Sequence, residues 1–380
     1  MRGAGLEEVL SQVLEIVGDV RERGDDALLD WTERLEGWRP ELRVPRARLD
    51  AARLDDDVLT AVRELARAVA AFCRPQRPPD TEVEAVPGIR AERRWLPLSS
   101  VGLYVPGGRA AYPSSLVMAA VPALVAGVER IAVVSPRPAE ATLATVRELG
   151  LDEVYAVGGA QAVAALAYGT ETIPPVDKIV GPGNRYVTAA KLLVSSRVAI
   201  DLPAGPSEVI VIADSSADAG QCAADLLAQA EHGPDSEAIL LSLDPALSEE
   251  VGSVVAGYGN VAVEDMASLD EALARSEAFA PEHLELWIEA ADDAAARVRN
   301  AGTVFVRTSA VVGDYAAGAT HVLPTGGLAR GCGGLGLETF LKPVQFVRAS
   351  ADGVEQAREI ALPLARAEGL PLHAAALERR

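Results

Sequence analysis

From about position 100 onward the apolar residues alternate between two rhythms. Short runs rich in β-branched residues read as strands, and longer stretches with apolar positions three and four apart read as helices. The first block places extended runs at Val101–Val105, Ile131–Val134, Val154–Val157 and Lys178–Val180. Helices between them run to about Val128 and over 138–149, 160–168 and 185–195, with Ser114-Ser115 as the cap of the first. A second block repeats the pattern, with strands at Glu208–Ala213, Ala238–Leu241, Asn260–Val263, Leu284–Trp287 and Thr303–Val306. Its helices cover 217–232, 246–256, 268–277 and 291–299. Strands alternating with helices make βαβ units, so the fold class is α/β with two mostly parallel sheets.

The flanks are different. Residues 5 to about 75 show only helical periodicity and end in the proline-rich connector Arg74–Asp80; they read as a packing or dimerisation element. A short extended segment, Ile89–Leu98, leads into the first block. Beyond Leu335 come one strand, Val344–Val347, and helices to the C-terminus.

Three strand-to-helix turns of the first block are glycine-rich: Gly107-Gly108-Arg109, Gly158-Gly159 and Gly181-Pro182-Gly183-Asn184. Backbone N–H groups at such turns, next to a helix N-terminus, cradle phosphate, which points to a nucleotide-type ligand. The string Gly331-Cys332-Gly333-Gly334-Leu335-Gly336 matches the dinucleotide fingerprint only as letters, because no apolar strand precedes it.

Composition narrows the classes. A 380-residue chain, 49% hydrophobic, buries a large core and holds two or more domains. The formal net charge of -20, without a basic cluster, argues against nucleic acid or an anionic membrane as partner. The longest apolar run, Leu116–Val128, holds Pro122 and Gly127 and is too short to span a bilayer. Cys73, Cys222 and Cys332 are widely spaced, which suits a reducing, cytoplasmic compartment.

The candidate chemistry lies in the four histidines. His232 follows Gln229 by three at a predicted helix end, and His283 directly follows Glu282. His321 follows Asp314 by seven, and His373 follows Glu368 by five. Imidazole, carboxylate and amide oxygen suit zinc or a related divalent ion. The spacing fits neither a zinc finger nor a helical His-Glu-x-x-His pattern, so any site must be assembled from distant segments. Position alone leaves each histidine an ordinary solvated or capping residue as well. Neighbours on a strand point to opposite faces, so Glu282 and His283 share a substrate only if Pro281 puts them in a turn.

Several long motifs, in one order, resemble the histidinol dehydrogenase family. They are Val101–Gly108, Val157–Ala162, Lys178–Asn184, Pro203–Glu208, Gln229–Asp235, Ala280–Leu284, Gly313–Ala316 and His321–Thr325. The resemblance implies oxidation of L-histidinol to L-histidine through an aldehyde in two NAD-dependent steps, with one zinc per subunit and a homodimer sharing its active sites. It implies that Gln229, His232, Asp314 and His373 hold zinc, with His373 from the partner subunit. Glu282 and His283 match the acid–base pair; Ser207 and Glu368 match substrate contacts, with His321 close by. The zinc ligands and His283 also face the substrate, and Tyr104, Gln161 and Asn184 match NAD contacts.

The resemblance further implies two Rossmann-like three-layer domains plus N-terminal helices and a small helical tail. Residues 1–103 plus 207–333 would form the metal and catalytic domain, 104–206 the NAD side, and 334–380 a tail docking on the partner. The chain departs from the family in being shorter, chiefly before Tyr104 and between His232 and Glu282. It also has Ser309-Ala310 where a Pro-Glu pair is usual, and Gly331 where an aromatic is common. Three other readings stay open: a related zinc and NAD enzyme for another polar amino alcohol, a metal-activated-water hydrolase using Glu282, and a silent metal-binding dimer.

Overall fold

The structure, a computed structural model, describes residues 4–107 and 112–379. Gly108 and Arg109 of the first glycine turn lie outside the described residues. Four helices open the chain: α1 (Ala4–Arg23), α2 (Asp25–Glu36), α3 (Arg46–Ala51) and α4 (Asp56–Cys73). Strands β1 (Thr81–Val86) and β2 (Ile89–Pro97) form a hairpin, and β3 (Ser100–Tyr104) begins the first parallel unit. It continues with α5 (Pro113–Ala126), β4 (Arg130–Val134), α6 (Glu140–Glu148), β5 (Glu153–Tyr155), α7 (Gly159–Tyr168), β6 (Lys178–Val180), α8 (Arg185–Val194) and β7 (Ala199–Ile200). Helix α5 starts at Pro113, whose missing N–H suits a first helical position, and its N-cap residue Tyr112 makes no side-chain cap bond. Ser114-Ser115 are therefore inside the helix and do not cap it.

The second unit holds β8 (Glu208–Ala213), α9 (Ala219–Ala230), β9 (Glu237–Ser242), α10 (Pro245–Val255) and β10 (Val261–Asp265). It goes on through α11 (Leu269–Phe279), β11 (His283–Trp287), α12 (Ala291–Ala295), β12 (Thr303–Val306) and α13 (Ala310–Tyr315). The chain ends in β13 (Leu341–Ala349), α14 (Ala351–Ala367) and α15 (Pro371–Glu378). Strand β8 is buried along its whole length, as a central parallel strand covered on both faces must be.

Both parallel sheets share one topology. The first runs β5-β4-β3-β6-β7 and the second β10-β9-β8-β11-β12, each with its first strand in the middle. Strand order therefore reverses between β3 and β6 and again between β8 and β11, giving two topological switch points. Each sheet is sandwiched between apolar layers, so both units are three-layered.

Two arrangements differ from expectation. The extended segment before β3 belongs to a third sheet, β1-β2-β13, which is antiparallel and ties the N-terminal third of the chain to its tail. The N-terminal helices, assigned from the sequence to the unit of residues 207–333, pack instead on the first sheet. Val13, Ile16, Leu28 and Trp31 share a core with Ala162, Val163 and Val187 of α7 and α8. Val62, Leu65 and Val69 of α4 pack with Leu116 and Met118 of α5 on the opposite face. Among the described residues, no helix is long and apolar enough to cross a membrane.

Candidate active site

A cavity of about 1110 Å³ lies between the two parallel units. The first sheet meets it with its carboxyl ends, as the switch-point rule requires: Tyr104 closes β3, and the Gly181 turn follows β6. The second sheet meets it with its amino ends, since Ser207 precedes β8 and Glu282 precedes β11. The chemistry of that half is carried where strands begin.

Glu282 and His283 reach this place through a sharp turn. Helix α11 stops at Phe279, and Ala280 takes the left-handed conformation at φ 56 before Pro281. Gly302 N donates to Pro281 O at 2.9 Å and Thr303 N to Glu282 O at 2.9 Å, fixing the entry to β11. With Glu282 still outside the strand and His283 its first residue, both side chains line the cavity. The requirement for a turn is met, with Ala280 as its pivot.

Glu282 is buried, and its Oε2 accepts from Ser207 Oγ at 2.6 Å and Glu208 N at 3.0 Å. Burial outweighs those bonds, and the carboxyls of Asp314 and Glu208 add to it, pushing Glu282 up to about 8. His283 is equally buried, and neither ring nitrogen has a hydrogen-bond partner. Its Nδ1 stands 3.9 Å from Glu282 Oε2 and its Nε2 3.9 Å from Asp314 Oδ1. Burial, then the neighbouring His321 and His232, pull it down to about 3 against an opposing backbone contact with Glu208, so the ring is neutral.

His232 sits just past the end of α9. Its Nδ1 faces the carbonyls of Ala228 at 3.2 Å and Gln229 at 3.3 Å. A carbonyl only accepts, so Nδ1 carries the hydrogen and Nε2 keeps a lone pair, the tautomer a metal ligand needs. His321 is set likewise: Nδ1 donates to Asp314 O at 3.2 Å, leaving Nε2 to accept from Ser115 Oγ at 3.1 Å. Asp314 holds its carboxyl above the usual range because of burial, opposed by His321 and His232. Gln229 is buried with its Nε2 unpaired, and its Oε1 lies 3.4 Å from Ser207 Oγ. Among the described residues no three His, Cys, Asp or Glu side chains are grouped closely enough to hold an ion.

On the opposite wall, Tyr104 is buried and its hydroxyl accepts from Gly159 N at 3.1 Å. Burial pushes this phenol up to about 12. Gln161 is fully buried with Oε1 unpartnered, and Asn184 caps α8 by accepting from Tyr186 N at 3.0 Å and Val187 N at 3.2 Å.

A family model described as histidinol dehydrogenase matches residues 2–380. The chain belongs to the histidinol dehydrogenase family. It is thereby an oxidoreductase. It is similar to the histidinol dehydrogenase of Methanosarcina mazei, 42% identical over 406 residues that cover 100% of this chain and 93% of the relative. With that of Synechococcus sp. the identity is 44% over 400 residues, 97% of this chain and 92% of the relative. A crystal structure of histidinol dehydrogenase from Elizabethkingia anophelis matches with a TM-score of 0.90 at 34% identity, covering 97% of this chain and 91% of that one.

Against this family background, ten of the twelve residues singled out from the sequence gather at the cavity. Ser207, His232, Glu282, His283, Asp314, His321, Tyr104, Gln161 and Asn184 line it, and Gln229 stands behind Ser207. Glu368 and His373 do not join them: Glu368 is exposed in the turn after α14 and His373 is exposed in α15. Residues passed over in the sequence also line the cavity. Gln12 and Ile16 of α1, Leu35 and Glu36 of α2, and Arg137 after β4 form its far end. Only the end of the α2 periodicity at Glu36-Gly37 marked that edge, and nothing local tied it to a turn more than 100 positions away.

Proposed function

We propose that this chain oxidises L-histidinol to L-histidine through L-histidinal, the last step of histidine biosynthesis, with the reduction of two NAD. The observation that carries the reading is the Glu282–His283 pair, two neighbours buried in one cavity with one carboxyl bonded by Ser207 and one ring left bare. The glycine turns opposite support the cofactor side. Gly181 has φ +118, and a Cβ there would lie 2.2 Å from Tyr104 O; Gly159 has φ +64. Only glycine lets the Gly181 turn pack this closely on the end of β3, where Tyr104 lines the cavity. NAD, when bound, supplies the hydride acceptor.

His283 takes the alcohol proton on a bare ring nitrogen as hydride departs. Glu282 then accepts a proton from the water that hydrates the aldehyde, and the hydrate loses the second hydride. Ser207 holds the Glu282 carboxyl in place through both oxidation steps. The His232 imidazole, the Asp314 carboxylate and the Gln229 amide oxygen are donor types that suit zinc. Zinc, when bound, supplies a template for the amine and imidazole of the substrate.

One chain leaves that donor set short of a ligand, and the tail supports a homodimer that completes it. Leu372 is 82% exposed, Leu364 57% and Ile360 56%, an apolar arm that would be covered by a second copy. His373 lies on this arm, and we place it and Glu368 in the active site of that copy. The acidic chain, with a cavity of about 1110 Å³ between its two parallel units, fits a small-molecule ligand.

NADH formation on adding L-histidinol tests the reading. Two NADH per substrate are expected. NADH formed only with other alcohols would overturn the substrate, and hydrolysis of an ester or amide without NADH would overturn the dehydrogenase reading.

A further inference from the structure

The far end of the cavity carries chemistry that the proposed reaction does not use. Glu36 ends α2 beside the Gly158-Gly159 turn, half-buried and facing the cavity. Its Oε2 accepts from Trp38 Nε1 at 3.0 Å, and its Oε1 lies 3.4 Å from Gln161 Nε2. The Gln161 Oε1 beside it is buried and has no hydrogen-bond partner. Leu35 and Ile16 line the same end and offer apolar surface.

Parallel sheets of this topology commonly recognise a dinucleotide's ribose diol with an acid after the second strand. Here the second strand is β4, and Ser135-Pro136-Arg137 follows it, so no acid is present. Arg137 is already committed. Its Nη2 donates to the backbone oxygen of Glu36 at 2.5 Å, and its guanidinium lies 5.2 Å from the Trp38 ring centre. The arginine therefore anchors α2 against the strand end and brings in the missing carboxylate from outside the sheet. His283 and Glu282 stand at the start of β11 in the second sheet, where hydride leaves, whereas Glu36 stands at the β4 end of the first, so the adenosine half of an extended dinucleotide falls at Glu36.

We propose that Glu36 is a specificity-determining residue that accepts hydrogen bonds from the adenosine ribose diol and excludes a 2′-phosphate. The two carboxylate oxygens of Glu36 both accept, which matches two hydroxyl donors. A 2′-phosphate only accepts at neutral pH and carries the same sign of charge as Glu36, so it is repelled. The proposal rests on the NAD reading above.

Steady-state kinetics of the holoenzyme with NAD and NADP test it. Glu36→Gln keeps the shape and removes the charge. It is expected to raise KM for NAD and lower KM for NADP, changing their ratio about tenfold or more, while KM for histidinol stays within about twofold. On the wild-type protein, ADP-ribose is expected to compete with NAD at least about tenfold better than its 2′-phosphorylated form, a comparison that stands even if a variant fails to fold. An unchanged NAD to NADP ratio in Glu36→Gln, or equal inhibition by the two ADP-ribose forms, would overturn the role of Glu36 alone. No NADH from the wild-type protein with any alcohol would overturn both this role and the cofactor reading.

Discussion

Glu282 and His283 share one burial, and it acts on them in opposite directions because one is charged when it loses a proton and the other when it gains one. At neutral pH the free site therefore favours two uncharged groups, and substrate must enter before either works as a base. His283→Asn keeps the ring's volume approximately and removes its proton acceptor. Turnover is expected to fall by about a hundredfold or more while bound zinc, measured by mass spectrometry, stays at the wild-type level. His232→Ala is expected to lose both. The pair also predicts how stability depends on pH in metal-free protein. Glu282 is raised to about 8, as is Glu285, which is buried two residues beyond His283 on β11 and accepts from Ala310 N at 2.6 Å. A raised carboxyl contributes stability that is full below its ordinary pKa and is lost as pH rises through the folded value. His283, at about 3, no longer changes charge in either state once pH exceeds the ordinary histidine value. From about pH 6.5 to 8, stability is thus expected to decline, by up to about 1.4 kcal/mol per pH unit for each proton released. Glu282→Gln should halve that slope in urea titrations; an unaltered slope would remove Glu282 as its source. The residue types were legible from the sequence here, because Glu-His after Ala-Pro is a local signal. Their burial was not, because it depends on Ser207 and Glu208, more than 70 positions away.

Among the elements, the turns do more than connect. The Gly181 turn is held from behind by a buried ion pair: Lys191 of α8 donates to Gly181 O at 3.0 Å, Asp201 accepts from Gly181 N at 2.7 Å, and the two side chains are bonded to each other. At 3% and 2% exposure this pair has no water to replace a lost partner. Lys191→Ala is expected to cost roughly 3–5 kcal/mol in chemical denaturation because it strands the Asp201 charge. Asn184→Ala, which removes the α8 cap, is expected to cost only about 1 kcal/mol, with a separate rise in KM for NAD. Equal losses from the two substitutions would contradict this division of labour. The alternation of strands and helices was legible because each parallel strand is a short apolar run between periodic helices. Of the antiparallel sheet, the extended runs Ile89–Leu98 and Val344–Val347 were legible, but their pairing and β1 were not. Strand β1 is largely exposed, and its neighbour β2 pairs with β13 some 250 positions later, from Leu341↔Pro97 to Ala349↔Ile89. The same distance effect hid the packing of α1 and α2, whose amphipathic faces fit any sheet until α7 and α8 present theirs.

For the molecule as a whole, the question is where His373 acts. Within one chain α15 packs on α14, which rests on the β1-β2-β13 sheet, and His373 stays exposed away from Glu282 and His283. If the arm completes the site of a second copy, two separately inactive chains must repair each other. His283→Asn spoils the site a chain builds for itself, and His373→Ala spoils the site it completes for its partner. In randomly mixed symmetric dimers half the molecules are hybrids, and each hybrid holds one intact and one doubly damaged site. Denaturing and refolding an equimolar mixture is therefore expected to recover about a quarter of wild-type NADH production, with neither variant active alone. If His373 served its own chain, no hybrid could contain an intact site. Absence of any recovery, with dimers confirmed by light scattering, would return the fourth ligand to the chain that carries it.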